Sequence, residues 1–142
     1  MADITLTKII PTDTQIATLY DVLAKRSHGI SHEEMPSFKA HTEFVKTHPY
    51  RAWYMVDQGG ECLGAVYVQN DNSIGINIDA SQYASIADIL KQIKHLIPPL
   101  PPIKSVRNGR YHVHVAAQNT ALIQALKDMK ATPVQVTFLL ED

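Results

Sequence analysis

Ile4, Leu6 and Ile10 recur through a β-branched run that Pro11 ends, the pattern of a first strand. Thr12 or Thr14 can then cap a helix in which Ile16, Leu19, Tyr20, Val22 and Leu23 return at helical spacing as far as about Arg26, before Gly29. That helix buries one face and leaves Asp21 and Lys25 in water. The polar run SHGISHEEMPS has no period and reads as a loop. From about Ser37 a second short helix gathers Phe38, His41, Phe44 and Val45 on one face, and His48-Pro49 stops it, because the residue before proline is disfavoured in the helical region.

Between Trp53 and Gln92 the pattern changes. WYMVD and CLGAVYV alternate on either side of Gly59-Gly60, which marks a hairpin, and Asp71-Asn72 makes a second tight turn into Ile74–Ile78, so three strands follow one another as a meander. A long amphipathic helix is expected from Ser81, with Ile86, Ile89, Leu90, Ile93 and Ile97 on its apolar face. Pro98-Pro99-Leu100-Pro101-Pro102 lacks backbone donors and must be an irregular connector. Tyr111–Val115 alternates as another strand, Asn119 precedes a helix carrying Leu122, Ile123, Leu126 and Met129, and Val134–Phe138 is expected as a last strand. The fold class is therefore α+β: a layered domain with a mixed sheet and flanking helices, in which the strand-helix-strand unit of the second half is a parallel, right-handed crossover.

Composition narrows the reading further. The 142 residues suit one domain over 1–142, with enough chain to bury a core. Lys and Arg number 13 against 14 Asp and Glu, so no overall charge draws the molecule to nucleic acid or to an anionic membrane, and neither partner is expected. Cys62 is the single cysteine and cannot form an internal disulfide. No stretch reads as a leader or a membrane span, and a cytoplasmic location is the expectation.

The order of elements resembles the GNAT superfamily of N-acetyltransferases over nearly the whole chain. Two places carry the likeness. Where that family has Q/R-x-x-G-x-G/A after its fourth strand, this chain has Gln82-Tyr83-Ala84-Ser85-Ile86-Ala87, and VHVAAQNTALIQAL looks like the family's fifth strand and the helix opened by an asparagine, here Asn119. The segment from Ile30 to Val56 also reads like a substrate-side region of that superfamily. The chain departs from the pattern at Ser85, where the family's most informative glycine stands, at Leu126, where a tyrosine or phenylalanine is usual, and at Lys130-Ala131, which replaces a common Gly-Phe.

The resemblance implies acetyl-CoA as co-substrate and a small-molecule or peptide amine as acceptor. In such a fold a helix N-terminus holds the pyrophosphate through unpaired N–H groups, and a backbone N–H on the fourth strand meets the thioester oxygen as it gains charge. By position, Asn77, Ile78 and Asp79 would line the acetyl end, Gln82, Tyr83, Ala84, Ser85, Ile86 and Ala87 the pyrophosphate, and Asn119 the next helix start. Glu34 and His32, in a span that would overhang the acetyl site, are the candidate acceptor ligand or general base; Tyr111 is a candidate acid for the departing thiolate, with Tyr83 as its alternative. If Ser85 needed a left-handed backbone, its Cβ would cost of order 1 kcal/mol.

Other features receive plainer readings. His41 is expected to pack beside Phe38 and Val45, Trp53 and Tyr54 in the sheet, and Cys62 in the hairpin. His28-x-x-x-His32 and His112-x-His114 have spacings zinc can use, the second pair on one face of a strand, but with one cysteine and no anchored ligand motif no metal is expected. Two function classes follow: an N-acetyltransferase, or a GNAT-shaped module without catalysis that binds a ligand or a partner, including a second copy through the terminal strand.

Overall fold

A computed structural model describes residues 3–25 and 35–141. Strand β1 (Ile4–Lys8) pairs antiparallel with β2 (Ala52–Gln58), β2 with β3 (Glu61–Val68), and β3 with β4 (Ser73–Ile78); β5 (His112–Val113) lies parallel to β4. The sheet thus runs in the order β1-β2-β3-β4-β5. The helices are α1 (Asp13–Ala24), α2 (Phe38–Thr47), α3 (Ile86–Leu96) and α4 (Thr120–Asp128). Three of them begin at side-chain caps: Thr12 accepts from the Gln15 N–H at 3.2 Å, Ser37 from Ala40 at 3.1 Å and Asn119 from Leu122 at 3.2 Å. Each satisfies a donor that the first turn leaves without a partner, an effect of about 1 kcal/mol.

The period-two pattern of the strands sorts side chains onto two faces. Val56, Val66, Val68, Ile74 and Ile78 meet Ile86, Ile89, Leu90 and Ile93 of α3 and Leu122 of α4 on one side. Met55 and Ala65 meet Ile16 and Leu19 of α1 and Val45 of α2 on the other. A bulge lies between them: the register passes from Val56 opposite Gly64 to Asp57 opposite Cys62, so Leu63 has no cross-strand partner. One extra residue reverses the parity of the strand. Cys62 thereby joins the α1 and α2 face, and Leu63 the opposite one. His41 is buried as expected, its Nε2 3.0 Å from the Ile16 carbonyl and its ring beside Phe38.

Three expected elements differ. The helix expected from Ser81 is split: Asp79 caps a 3-10 turn, Ala80–Ser85, and the α-helix starts only at Ile86. Ile86 is the first residue of the apolar repeat to be buried, and before it only Tyr83 packs, partly buried, against the core. The fifth strand is two residues long, although Tyr111, Val113 and Val115 do alternate into the α3 and α4 core. Val134–Phe138 forms no strand; Val136 is 76% exposed and Phe138 80%. A strand needs a paired edge, and β5 offers only two residues of one.

The far end of the sheet is pinned by polar contacts. Asn72, buried and left-handed at φ 70°, donates through Nδ2 to the Leu100 and Asn108 carbonyls at 2.9 and 2.7 Å and accepts from the Leu100 N–H at 2.8 Å. It ties the β3–β4 turn to the proline connector.

Candidate functional site

The parallel ladder between β4 and β5 has two rungs, Ser73 with His112 and Ile74 with Val113, yet β4 continues to Ile78. The backbone of Asn72 and Ile74 points toward β5, since their carbonyls accept from His112 and His114 at 3.2 and 3.4 Å. Strand alternation then turns the N–H groups of Ile76 and Ile78 the same way, into the space left where β5 diverges. The other edge of β4 remains paired with β3 from Val68–Ile74 to Gly64–Ile78.

Around the C-terminal end of β4, on its α1 and β3 side, lies a cavity of about 250 Å³ bordered by α1, β3, β4 and the 3-10 turn. Lys25, Cys62, Asn77, Ile78, Asp79 and Gln82 line it. Of the residues assigned from sequence to the acetyl end and the pyrophosphate, Asn77, Ile78, Asp79 and Gln82 are thus brought to one place. Asp79 is held below the usual carboxylate range by hydrogen bonds from the Ser81 hydroxyl and N–H, with Lys25 adding to the effect. It is an anion at neutral pH. The Cys62 thiol is pushed up, chiefly by burial, while its Sγ donates to the Gly64 carbonyl at 3.4 Å. It is therefore neutral and a weak nucleophile near pH 7.

Gly64 sets the width of this region. A Cβ there would lie 2.2 Å from the Asn77 carbonyl oxygen and 2.7 Å from Ile78 Cγ2, distances that no side chain tolerates. The glycine lets the bulged strand approach β4 where the cavity lies.

The remaining predicted positions divide by environment. Ser85 has φ −89° and ψ −3°, so it is right-handed and its Cβ carries no left-handed strain; its hydroxyl makes no cap hydrogen bond to α3. Ala84 and Ala87 are exposed, Ser85 is half-buried and Ile86 belongs to the core. Ser85 thus sets no left-handed requirement and places no side chain across the start of α3, while the Ile86 N–H is already bonded to the Tyr83 carbonyl where the 3-10 turn runs into the helix. Asp88 is the acidic residue of the first turn, and its carboxylate lies 3.4 Å from Gln92 Nε2 one turn on. Tyr83 and Asn119 meet: Asn119 Nδ2 donates to the Tyr83 hydroxyl at 2.9 Å while its Oδ1 caps α4, so both ends of that amide hold the 3-10 turn against α4.

Tyr111 is placed apart from this group. Its hydroxyl donates to the Ile97 carbonyl at 2.6 Å, and burial, opposed by Arg51, raises its pKa. It precedes the first β5 rung and is level with Asn72, roughly 20 Å along β4 from Ile78 at the usual rise per residue. His32 and Glu34 lie outside the described residues. Sequence reading missed Lys25, Cys62 and Gly64 as parts of the site. A glycine inside an alternating strand is the one available signal, since it marks a bulge or a close approach.

No protein-family model and no curated protein matches the chain. Solved structures do. The crystal structure of a possible acetyltransferase from Clostridium difficile 630 superposes with a TM-score of 0.59 at 11% identity, covering 98% of this chain and 97% of that one. A domain from Methanocaldococcus jannaschii DSM 2661 superposes with a TM-score of 0.59 at 15% identity, over 92% of this chain and 88% of that one. At such identities the likeness speaks for the architecture. Taken with the meander, the parallel crossover and the divergence of β4 from β5, it shows that this chain has a GNAT-like fold.

Proposed function

We propose that the chain is an N-acetyltransferase that moves an acetyl group from acetyl-CoA to the amine of a small-molecule or peptide acceptor. One observation carries the reading: β4 outruns its ladder with β5, leaving the Ile76 and Ile78 N–H groups turned away from β3, and the end of β4 borders a cavity lined by Asn77, Asp79 and Gln82. When bound, acetyl-CoA supplies an activated thioester carbonyl. The Ile76 or Ile78 N–H stabilises the negative charge that develops on the carbonyl oxygen. The N–H groups of the first turn of α3 from Ala87 onward hold the pyrophosphate, since the Ile86 N–H is bonded to the Tyr83 carbonyl, with the α3 dipole adding to the attraction. Asp79 attracts the acceptor ammonium, which loses a proton to water before the neutral amine attacks. The C–N bond forms as the C–S bond breaks; the second amine proton goes to water and the sulfur leaves as thiolate. His32 and Glu34, outside the described residues, remain the base candidates that the sequence offers.

The test is release of free CoA thiol when the protein is mixed with acetyl-CoA and a panel of primary amines. Amine-dependent release that falls at least tenfold in Asp79→Asn supports the reading; acetyl-CoA binding with no transfer to any amine supports the second one.

That second reading is a GNAT-shaped interaction module, and the tail favours it. Val134, Val136, Phe138, Leu139 and Leu140 are all strongly exposed, Leu139 and Leu140 at 91%, and among the described residues β5 ends the sheet with one edge unpaired. We propose that the tail of one copy adds as a strand to β5 of a second copy, and reciprocally, which closes a two-fold dimer. Sedimentation of the full chain should show a concentration-dependent dimer that Val136→Asp with Phe138→Asp abolishes. A monomer at every concentration, with the tail protected from proteolysis, would instead mean that it docks on its own sheet.

A further inference from the structure

Beyond the acetyl cleft, one cluster of metal-ligating side chains among the described residues is not used by the proposed reaction. Asp71, His112 and His114 bring one ligand atom each to within 4.8 Å of one another at the closed end of the β4–β5 ladder. They come from two distant stretches of sequence that the parallel ladder makes adjacent: His112 is level with Ser73, two residues beyond Asp71. The two histidines alternate with Tyr111, Val113 and Val115, which point into the α3 and α4 core, so both imidazoles share the opposite face. Their rings meet edge to face, with centroids 5.2 Å apart.

The carboxylate is oriented as well. Asp71 Oδ1 accepts the Ser73 N–H at 2.8 Å, and the next residue, Asn72, is buried and fixed by three hydrogen bonds to Leu100 and Asn108. A hydrogen-bonded carboxylate on an anchored turn is the outer-shell support that metal ligands use. Two imidazoles and a carboxylate match the borderline dications rather than magnesium or calcium, which take oxygen ligands, and three protein ligands leave a coordination position open.

We infer that Asp71, His112 and His114 bind a transition-metal dication of the zinc type, which straps the two-residue strand β5 to the β3–β4 turn. Sequence reading, with one cysteine and no anchored ligand motif, expected no metal; the fold brings Asp71 beside the histidine pair. The strap acts where the ladder is shortest, just before the strands part.

The experiment titrates chelator-treated, full-length protein with zinc chloride by calorimetry and follows thermal unfolding in parallel, with magnesium chloride as control. The expected result is one zinc per chain and a raised unfolding temperature with zinc alone. Asp71→Asn keeps an acceptor for the Ser73 N–H and so preserves the turn; it and His114→Gln should each weaken zinc binding about tenfold or more while the metal-free unfolding temperature stays near the parent's. His95→Gln, on α3, should bind as the parent does. Zinc affinity and stabilisation unchanged in Asp71→Asn and His114→Gln, or no stabilisation in the parent, would overturn the site. Loss of acetyl-CoA binding leaves this result untouched, so the two accounts fail separately.

Discussion

Gly64 and Ile78 face each other across β3 and β4 with no room for a side chain between them: a Cβ on Gly64 would stand 2.7 Å from Ile78 Cγ2 and 2.2 Å from the neighbouring Asn77 carbonyl. The bulge at Leu63 and the glycine after it bring the hairpin against the strand that borders the cleft. Gly64→Ala is therefore expected to cost about 1–3 kcal/mol, the usual range for overpacking. It should weaken acetyl-CoA binding as well, because the strand that must move carries Asn77 and Ile78. Urea denaturation and calorimetry on the same sample check both effects.

Two positions where GNAT sequences favour glycine behave in opposite ways, and the backbone decides which. Lys130 closes α4 at φ 72°, with the Ala131 N–H bonded to the Leu126 carbonyl at 3.0 Å, a left-handed helix end that glycine adopts at lower cost. Lys130→Gly should stabilise the protein by about 0.5–1 kcal/mol. Ser85 is right-handed, so Ser85→Gly should instead lose up to about 1 kcal/mol through chain entropy. Chemical denaturation of the two variants beside the parent measures the difference in sign.

His48 couples stability to pH. Its ring lies 5.0 Å from Trp53 and 5.4 Å from Tyr50, its Nδ1 accepts the Tyr50 N–H at 3.2 Å, and burial lowers its pKa. The folded state resists protonation more than the unfolded state does. Stability from this residue is fully present above the unfolded value of about 6.5 and falls as pH drops from there through the lowered folded value. Urea midpoints at about pH 7.5 and about pH 5.5 should differ less in His48→Gln than in the parent.

Cys62 offers a reporter inside the cavity. Because burial raises its pKa, alkylation by iodoacetamide should be slow near neutral pH and accelerate as pH rises. Since the thiol borders the same cavity as Asn77 and Asp79, acetyl-CoA should slow the reaction further. Mass spectrometry of timed samples gives both rates, and labelling indifferent to acetyl-CoA would place the ligand elsewhere.

Much of the fold was legible where period and cap agree. Thr12, Ser37 and Asn119 open their helices as read, and the alternation at Trp53–Asp57 and Ile74–Ile78 forms strands. The misreadings share a cause, since they fall where tertiary partners outrank local pattern. Val134–Phe138 alternates well, but an isolated strand has no ladder, and Ser81–Ser85 is helical in composition but docks only through Tyr83. Within the candidate site, Asn77, Ile78, Asp79 and Gln82, assigned by the resemblance, lie together around the end of β4. Lys25 and Cys62 were missed because α1 and a bulged hairpin bring them there from distant sequence. Asp71 beside His112 and His114 is the same lesson for the metal cluster.

The central claim is that acetyl-CoA lies along the diverging β4 and over the start of α3, and calorimetric titration tests it most directly. Acetyl-CoA and CoA should bind in the micromolar range, ADP more weakly, and Ala84→Glu, at an exposed position, should abolish binding while unfolding at the parent's temperature. No heat from the parent at millimolar acetyl-CoA, or equal affinity in Ala84→Glu, would contradict the account.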